Sequence, residues 1–309
     1  MTARIRNSRR AAALTAAASL AMLAGTVTAA SAGPLQSEWA NGYNSRVRLL
    51  AGAESGPHIG ASAAADAGAD RSAPSRRRLV AGVEIETKPD WKTYWRNPGD
   101  AGVPPAFDWS KSVNVAAAEV RYPAPQRLVD KSGITIGYLG GVVFPVMVTP
   151  VDPAKPVTLK LTIDYGVCKD ICVPAQAELS IDIAAAYTEP VPALLAAALD
   201  RLPSARGQER TGDPVIKAVA VELAGTPPRL TLDVLPPKGT SAEAIDAFLV
   251  TGEGGFMPLP TRAAAPSKDL VRLIVDLSRD VDIADLRGKT VFVTVSGPGG
   301  ASEAVITIK

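Results

Sequence analysis

Cys168 and Cys172 are the two cysteines of a 309-residue chain, and both lie in the stretch Tyr165-Gly166-Val167-Cys168-Lys169-Asp170-Ile171-Cys172-Val173-Pro174. Three chemistries suit such a pair: a structural bridge, a bond that opens and closes by thiolate exchange, and capture of Cu(I) by two thiolates with a methionine such as Met147. Two sulfurs with no histidine beside them make a weak metal site. If the stretch were one continuous strand, four steps of ~3.3 Å would part the two Cα atoms by about 13 Å, well beyond the ~7 Å that a disulfide spans. Bonding therefore requires the backbone to fold back at Lys169-Asp170-Ile171, with Gly166 and Pro174 as places where strand geometry breaks. Closing so short a loop removes only about 2 kcal/mol of chain entropy, whereas bridges across long loops remove more. A tight bridge at an exposed loop tip is also readily strained and exchanged. Lys169 favours a thiolate there and Asp170 opposes one. The spacing leaves the staple and the exchanging pair both open.

The elements that must position the sulfurs are β-like. From Val157 to Tyr165, apolar residues alternate with Thr158, Lys160, Thr162 and Asp164, the period of a half-buried strand. Ala177 to Ile183 repeats the pattern, so an antiparallel pair is expected with the cysteines in an eleven-residue loop between the two runs. Pro190, Pro192 and Pro203 bracket an apolar stretch, Ala193 to Leu202, that reads as a short connecting helix. Beyond Asp213, strands are expected at Ala218 to Leu223, Arg229 to Leu235, Leu270 to Leu277, Thr290 to Ser296 and Ala304 to Ile308. Thr240-Ser241-Ala242-Glu243 reads as a capping box opening a short helix over Ala244 to Leu249. Short strands at regular spacing give an all-β fold class, two tandem β-sandwich domains joined by a short helical linker.

Composition narrows the function. Of 33 Lys and Arg, four (Arg4, Arg6, Arg9, Arg10) fall in the first ten residues, and the remaining 29 face 31 Asp and Glu. A nucleic-acid partner is therefore not expected. His58 is the single histidine, which removes imidazole-based hydrolysis and metal pairs. Met1 to Ala32 has the basic start, Ala-rich apolar middle and small-residue close of an export signal, with cleavage expected after Ala32. An exported, periplasmic chain sits in an oxidising space, where disulfide chemistry operates. Residues 33–186 are expected to form the first domain, with a flexible Ala/Gly/Ser/Arg insertion near 52–78 that is too poor in large apolar groups to order itself. Residues 187–212 are the expected linker and 213–309 the second domain.

Four stretches carry a resemblance to a known family. They are Trp91-Lys92-Thr93-Tyr94-Trp95-Arg96-Asn97-Pro98-Gly99-Asp100-Ala101-Gly102, then Pro105-Ala106-Phe107-Asp108-Trp109, then Ile136-Gly137-Tyr138 with Val143-Phe144-Pro145-Val146, and finally the cysteine stretch. In type and order they resemble the N-terminal periplasmic domain of the thiol:disulfide interchange protein DsbD, particularly its ScsB-like form. The resemblance spans roughly residues 79 to 185.

The resemblance implies an immunoglobulin-like domain whose cysteine pair, Cys168 and Cys172, relays electrons at one end of the sandwich. It implies that Cys172 forms the mixed disulfide and Cys168 resolves it, with no organic cofactor or metal. The implied partners are a thioredoxin-like or membrane-embedded electron donor and oxidised periplasmic proteins. Such relays serve cytochrome c biogenesis, copper tolerance and isomerase reduction. Residues expected to line or support the sulfurs are Tyr94, Arg96, Tyr138 and Tyr165, while Trp95 and Trp109 are expected in the core and Lys92 as a solvated charge. The DsbD domain has a wider cysteine gap and an aromatic-bearing cap loop, whereas Asp130 to Thr135 here carries no aromatic. Tyr138 or the Trp91 to Arg96 stretch is expected to shield the sulfurs instead. The chain shows no membrane conduit and no Cys-x-x-Cys of its own, so reduction is expected to come from separate proteins.

Overall fold

Alternating apolar stripes make this chain predominantly β. The computed structural model describes residues 1–2, 35–54, 78–130, 133–185, 187–278 and 281–309. The expected export signal and most of the expected insertion, with His58, lie outside the described residues. The first strands are β1 (Leu35–Gln36), β2 (Ala40–Gly42), β3 (Ser45–Glu54), β4 (Arg78–Thr87), β5 (Lys92–Gly99) and β6 (Ala106–Asp108). There follow β7 (Val115–Val120), β8 (Gln126–Asp130), β9 (Gly133–Leu139), β10 (Gly141–Pro150), β11 (Val157–Cys168) and β12 (Cys172–Ile183). Among the described residues they form two six-stranded sheets. One has the order β1-β3-β4-β10-β7 with β2 on β3, and the other the order β12-β11-β5-β9-β8 with β6 on β11. Gly52, Ala53 and Glu54, placed in the insertion by composition, instead finish β3, where Glu54 stands opposite Arg78 of β4.

The two sheets bury a shared core. From the first come Val47, Leu49, Val83, Ile85, Phe144 and Val146, and from the second Trp95, Ile136, Leu159, Leu161, Ile163 and Val167. Each such side chain contributes roughly 1.5–3 kcal/mol, against roughly 0–1 kcal/mol for a surface ion pair, so this stripe decides which face of β11 points inward. Trp95 is fully buried in this core, and Trp109 packs against it half-buried.

The cysteine hairpin corrects one expectation. Pairing of β11 with β12 continues through Tyr165↔Ala175, Gly166↔Pro174 and Val167↔Val173 to Cys168↔Cys172, leaving only residues 169–171 as the turn. Neither Gly166 nor Pro174 ends a strand. Pro174 is tolerated because β12 is the edge of its sheet, where a missing N–H breaks no second ladder.

The chain from 187 to 212 is not a free tether. Ala53 N donates to Glu189 O at 2.8 Å, and helix α1 (Ala193–Asp200) buries Leu195, Ala198 and Leu199 against Leu50, Val80 and Val143 on the outer face of the first sheet. Met147 packs beside this helix. It therefore belongs to the first sheet's outer face, not to the cysteines of the second sheet. β13 (Ser204–Ala205) then joins the sheets that follow.

The remaining strands are β14 (Val215–Glu222), β15 (Arg229–Leu235), β16 (Asp246–Thr251), β17 (Thr261–Ala263), β18 (Val271–Asp276), β19 (Thr290–Gly297) and β20 (Gly300–Thr307). A helical turn, α2 (Ile283–Leu286), precedes β19. They form the sheets β13-β20-β19-β16 and β14-β15-β18-β17 around a second core. The helix expected over Ala244 to Leu249 is instead a 3-10 turn at Ala242–Ala244 followed by β16, and Ser241 makes no side-chain cap. Both faces of β16 are buried: Ala247 and Leu249 enter the second core, Phe248 and Val250 the first. A strand covered on both faces reads as an unbroken apolar run, which sequence pattern alone does not separate from a buried helix.

β16 also joins the two sheet pairs within a single unit spanning Pro34–Lys309. Trp95 meets Phe248 edge-on at 6.0 Å, Asn97 Nδ2 donates to Leu249 O at 2.9 Å and Met257 O at 3.2 Å, and Arg127 forks onto Asp246 with two bonds of 2.7 Å. Asn97→Ala removes two buried hydrogen bonds from this junction. The expected cost is about 1–3 kcal/mol, read as a lower urea midpoint with an unchanged slope.

Candidate functional site

In an antiparallel pair, residues in register share a face of the sheet. Because Val167, Tyr165 and Ile163 point into the core, Cys168 points to the outer face with Gly166 and Asp164, and its register partner Cys172 points the same way. The outer face of a sandwich sheet is normally solvated, yet Cys168 is only 1% exposed. Cys172 is exposed. Both are free thiols with their Sγ atoms 2.7 Å apart, within reach of a bond of ~2.05 Å.

Tyr94 supplies the cover. It lies two residues along β5 from Lys92, the residue in register with Cys168, and so on the same outer face. Its ring is seated between two glycines: a Cβ on Gly102 would stand 2.3 Å from the ring and one on Gly166 2.9 Å. Gly102 further adopts φ +139°, a conformation that side chains disfavour. The loop bearing Gly102 is held by Asp100, whose backbone N–H donates to Ile134 O and whose carboxylate accepts from Ile134 N, each at 2.9 Å. From this slot Tyr94 Oη reaches Cys172 Sγ at 2.9 Å. Burial, reinforced by the two sulfurs, raises the Tyr94 phenol well above its ordinary value, so it keeps its proton.

Burial raises the Cys168 thiol as well, and its contact with Cys172 adds to this, while the Tyr94 hydrogen bond and the charge of Lys92 pull it down. Lys92 is not the solvated charge expected. It is 4% exposed and forms an ion pair with Asp130 at the β8–β9 turn. Lys169, expected to act between the sulfurs, instead pairs with Asp90 at 3.2 Å on the surface.

Of the four expected lining residues, only Tyr94 meets a sulfur. Arg96 is four residues beyond Lys92, about 13 Å along the strand at ~3.3 Å per residue. It bonds Glu303 at 2.6 Å and stacks over Trp95 and Phe292, at the junction of the sheet pairs. Tyr138 stands opposite Thr93, on the inward face, where its hydroxyl donates to Pro123 O at 2.8 Å. Tyr165 also points inward and ties the two sheets through Ser45 Oγ at 2.9 Å. Of the two shields expected, Tyr138 faces inward, and it is the Trp91 to Arg96 stretch that meets the sulfurs, through Tyr94 seated against Gly102 and Gly166. Sequence reasoning missed Lys92, Asp130, Gly102 and Gly166; the two glycines were legible inside the quoted motifs, but their contact with Tyr94 was not.

Residues 63–183 match the family model of the thiol:disulfide interchange protein DsbD, N-terminal. The crystal structure of the N-terminal periplasmic domain of ScsB from Proteus mirabilis is similar at 22% sequence identity with a TM-score of 0.61, covering 89% of this chain and 98% of that one. No curated protein matches the chain. The resemblance carried by the four motifs is thus borne out, and the shared fold extends over both sheet pairs.

Two outcomes follow for the thiols. Because the reactive species is the thiolate and the Cys168 thiol is raised, iodoacetamide labels Cys172 first, and Cys168 labels only as pH climbs further into the alkaline range, a sequence that mass spectrometry of the reduced protein resolves. Gly166→Ala drives a methyl group into the Tyr94 ring and Val103, displacing the cover, and is expected to speed Cys168 labelling relative to the native chain.

Proposed function

We propose that this chain, with a DsbD-type N-terminal domain over residues 63–183, is an exported thiol:disulfide interchange module that relays reducing equivalents through Cys168 and Cys172 to oxidised periplasmic proteins. The observation that supports the reading is the asymmetry of the pair: one exposed sulfur hydrogen-bonded with the Tyr94 phenol, and one buried sulfur directly behind it. The Cys172 thiolate attacks a partner disulfide, forming one mixed S–S bond as the partner's own S–S bond breaks and its first sulfur leaves as a thiolate. The Cys168 thiolate then attacks Cys172 Sγ. The intramolecular bond forms, the mixed bond breaks, and the partner's second sulfur departs and takes up a proton. Two electrons pass from the module to the partner. A thioredoxin-like donor reverses the same steps to restore the dithiol, and neither organic cofactor nor metal enters.

We read the two sheet pairs as tandem immunoglobulin-like domains, 33–186 and 213–309, the second fixing the far half of β5 while the near half holds the sulfurs. The order of attack places Cys172 outside because a partner cannot reach Cys168 without displacing Tyr94.

Trapping decides the reading. With Cys168→Ala, a mixed disulfide with an oxidised thioredoxin-fold substrate is expected to accumulate on nonreducing gels, and with Cys172→Ala none is. Accumulation with Cys172→Ala alone reverses the assigned roles. A bridge that no reduced thioredoxin opens, with a potential below about −300 mV, marks a structural staple and ends the relay reading.

A further inference from the structure

We propose that Lys92 is a positioning residue for the resolving step: its buried ammonium, anchored by Asp130, stabilises the negative charge that Cys168 carries as it attacks the mixed disulfide. This rests on the relay reading above and assigns a part within the same site. The basis is placement. Lys92 is the β5 residue in register with Cys168, and both are buried beneath the same outer surface. Burying an ammonium is costly without an anion, and Asp130 at the β8–β9 turn is the anion. Such sheltered pairs add little net stability compared with apolar side chains of similar volume, so stability is a poor reason for a lysine here. A cation beside a sulfur that must ionise is a better one.

The groups that face Cys168 bear this out. On β12 there is the Cys172 thiol, and on β5 the Tyr94 phenol, neither of which brings a positive charge. At the hairpin tip, Lys169 pairs with Asp90 at an exposed position, and Asp170 beside it is exposed too. Water and salt screen those charges, whereas Lys92 acts through the protein interior. The direction agrees, since Lys92 opposes the rise that burial imposes on the Cys168 thiol.

In the step itself the Cys168 thiol gives its proton to water and its thiolate attacks Cys172 Sγ. The Cys168–Cys172 bond forms as the Cys172–partner bond breaks, and the leaving sulfur carries off the electron pair and is then protonated. Lys92 exchanges no proton in this step. Asp130 sets how much of that charge Cys168 feels, so the two residues act in opposite senses.

The test uses the reduced full-length chain and Ellman's reagent. Cys172 captures one thionitrobenzoate and Cys168 then displaces it, so the second release of colour reads resolution alone. A tenfold loss of thiolate is partly offset by the greater nucleophilicity of a more basic sulfur, leaving a net slowing of about threefold. Lys92→Met is expected to slow the second release about threefold at neutral pH and move its pH midpoint upward. Lys92→Arg restores it, and Asp130→Asn speeds it and moves the midpoint downward. Should Lys92→Met fail to fold, the arginine and Asp130 variants still decide. Midpoints that stay put, or that move the same way in Lys92→Met and Asp130→Asn, overturn the assignment and leave the relay intact. A native chain that takes up the first label but never releases the second removes the relay, and with it the step that Lys92 serves.

Discussion

The register of the β11–β12 hairpin is the constraint from which the rest follows. Slipping an antiparallel pair by one residue turns every side chain to the opposite face, which here would drive Thr158, Lys160 and Asp164 into the core and expel Leu159, Leu161 and Ile163. The apolar stripe makes that slip prohibitive. The register it enforces ends with Cys168 facing Cys172, so hydrophobic burial along twelve residues of each strand aligns two sulfur atoms at the end.

Strand β5 turns this alignment into a site. Its near end holds Lys92 and Tyr94 against the sulfurs, and its far end holds Trp95, Arg96 and Asn97 against β16, β19 and β20. One strand is thus anchored at one end by a second core and carries the residues packed at the two cysteines at the other. A side chain held in a slot between two glycines, on a strand clamped by buried aromatic and amide contacts, has little freedom to drift. The loop from Gly99 to Gly102 completes the slot, and Asp100 ties it to β9.

The surroundings of the two sulfurs differ. Cys168 is sealed, its thiol raised by desolvation and checked by a buried cation and a phenol, while Cys172 stands at the surface. Similar sulfur atoms four residues apart therefore differ in access through their surroundings alone, and burial raises the thiol of the sealed one. The ion pair that contributes this cation also ties the end of β8 to the start of β5.

Much of this was legible in the amino-acid order, because period-two alternation and turn residues are local properties. The stripe of β11, the companion run in β12, most strands of the second half, the cysteine pair and the motif-borne kinship all followed from neighbours in the chain. What tertiary structure decided was direction and partnership. Tyr94, Tyr138 and Tyr165 are alike in sequence terms, but strand parity sends the first outward to sulfur and the other two inward. Arg96 stands two residues from Tyr94 in sequence, yet each step of a strand carries a side chain ~3.3 Å further along, and Arg96 meets Glu303 instead of a sulfur. A lysine such as Lys92 is ordinarily solvated, and only the return of Asp130 across β9 makes its burial tenable. β16 carries the pattern of a helix because burial on both faces erases the alternation that identifies a strand. Sequence determines which residues must be covered; the fold alone decides what covers them, since the covering groups come from remote parts of the chain.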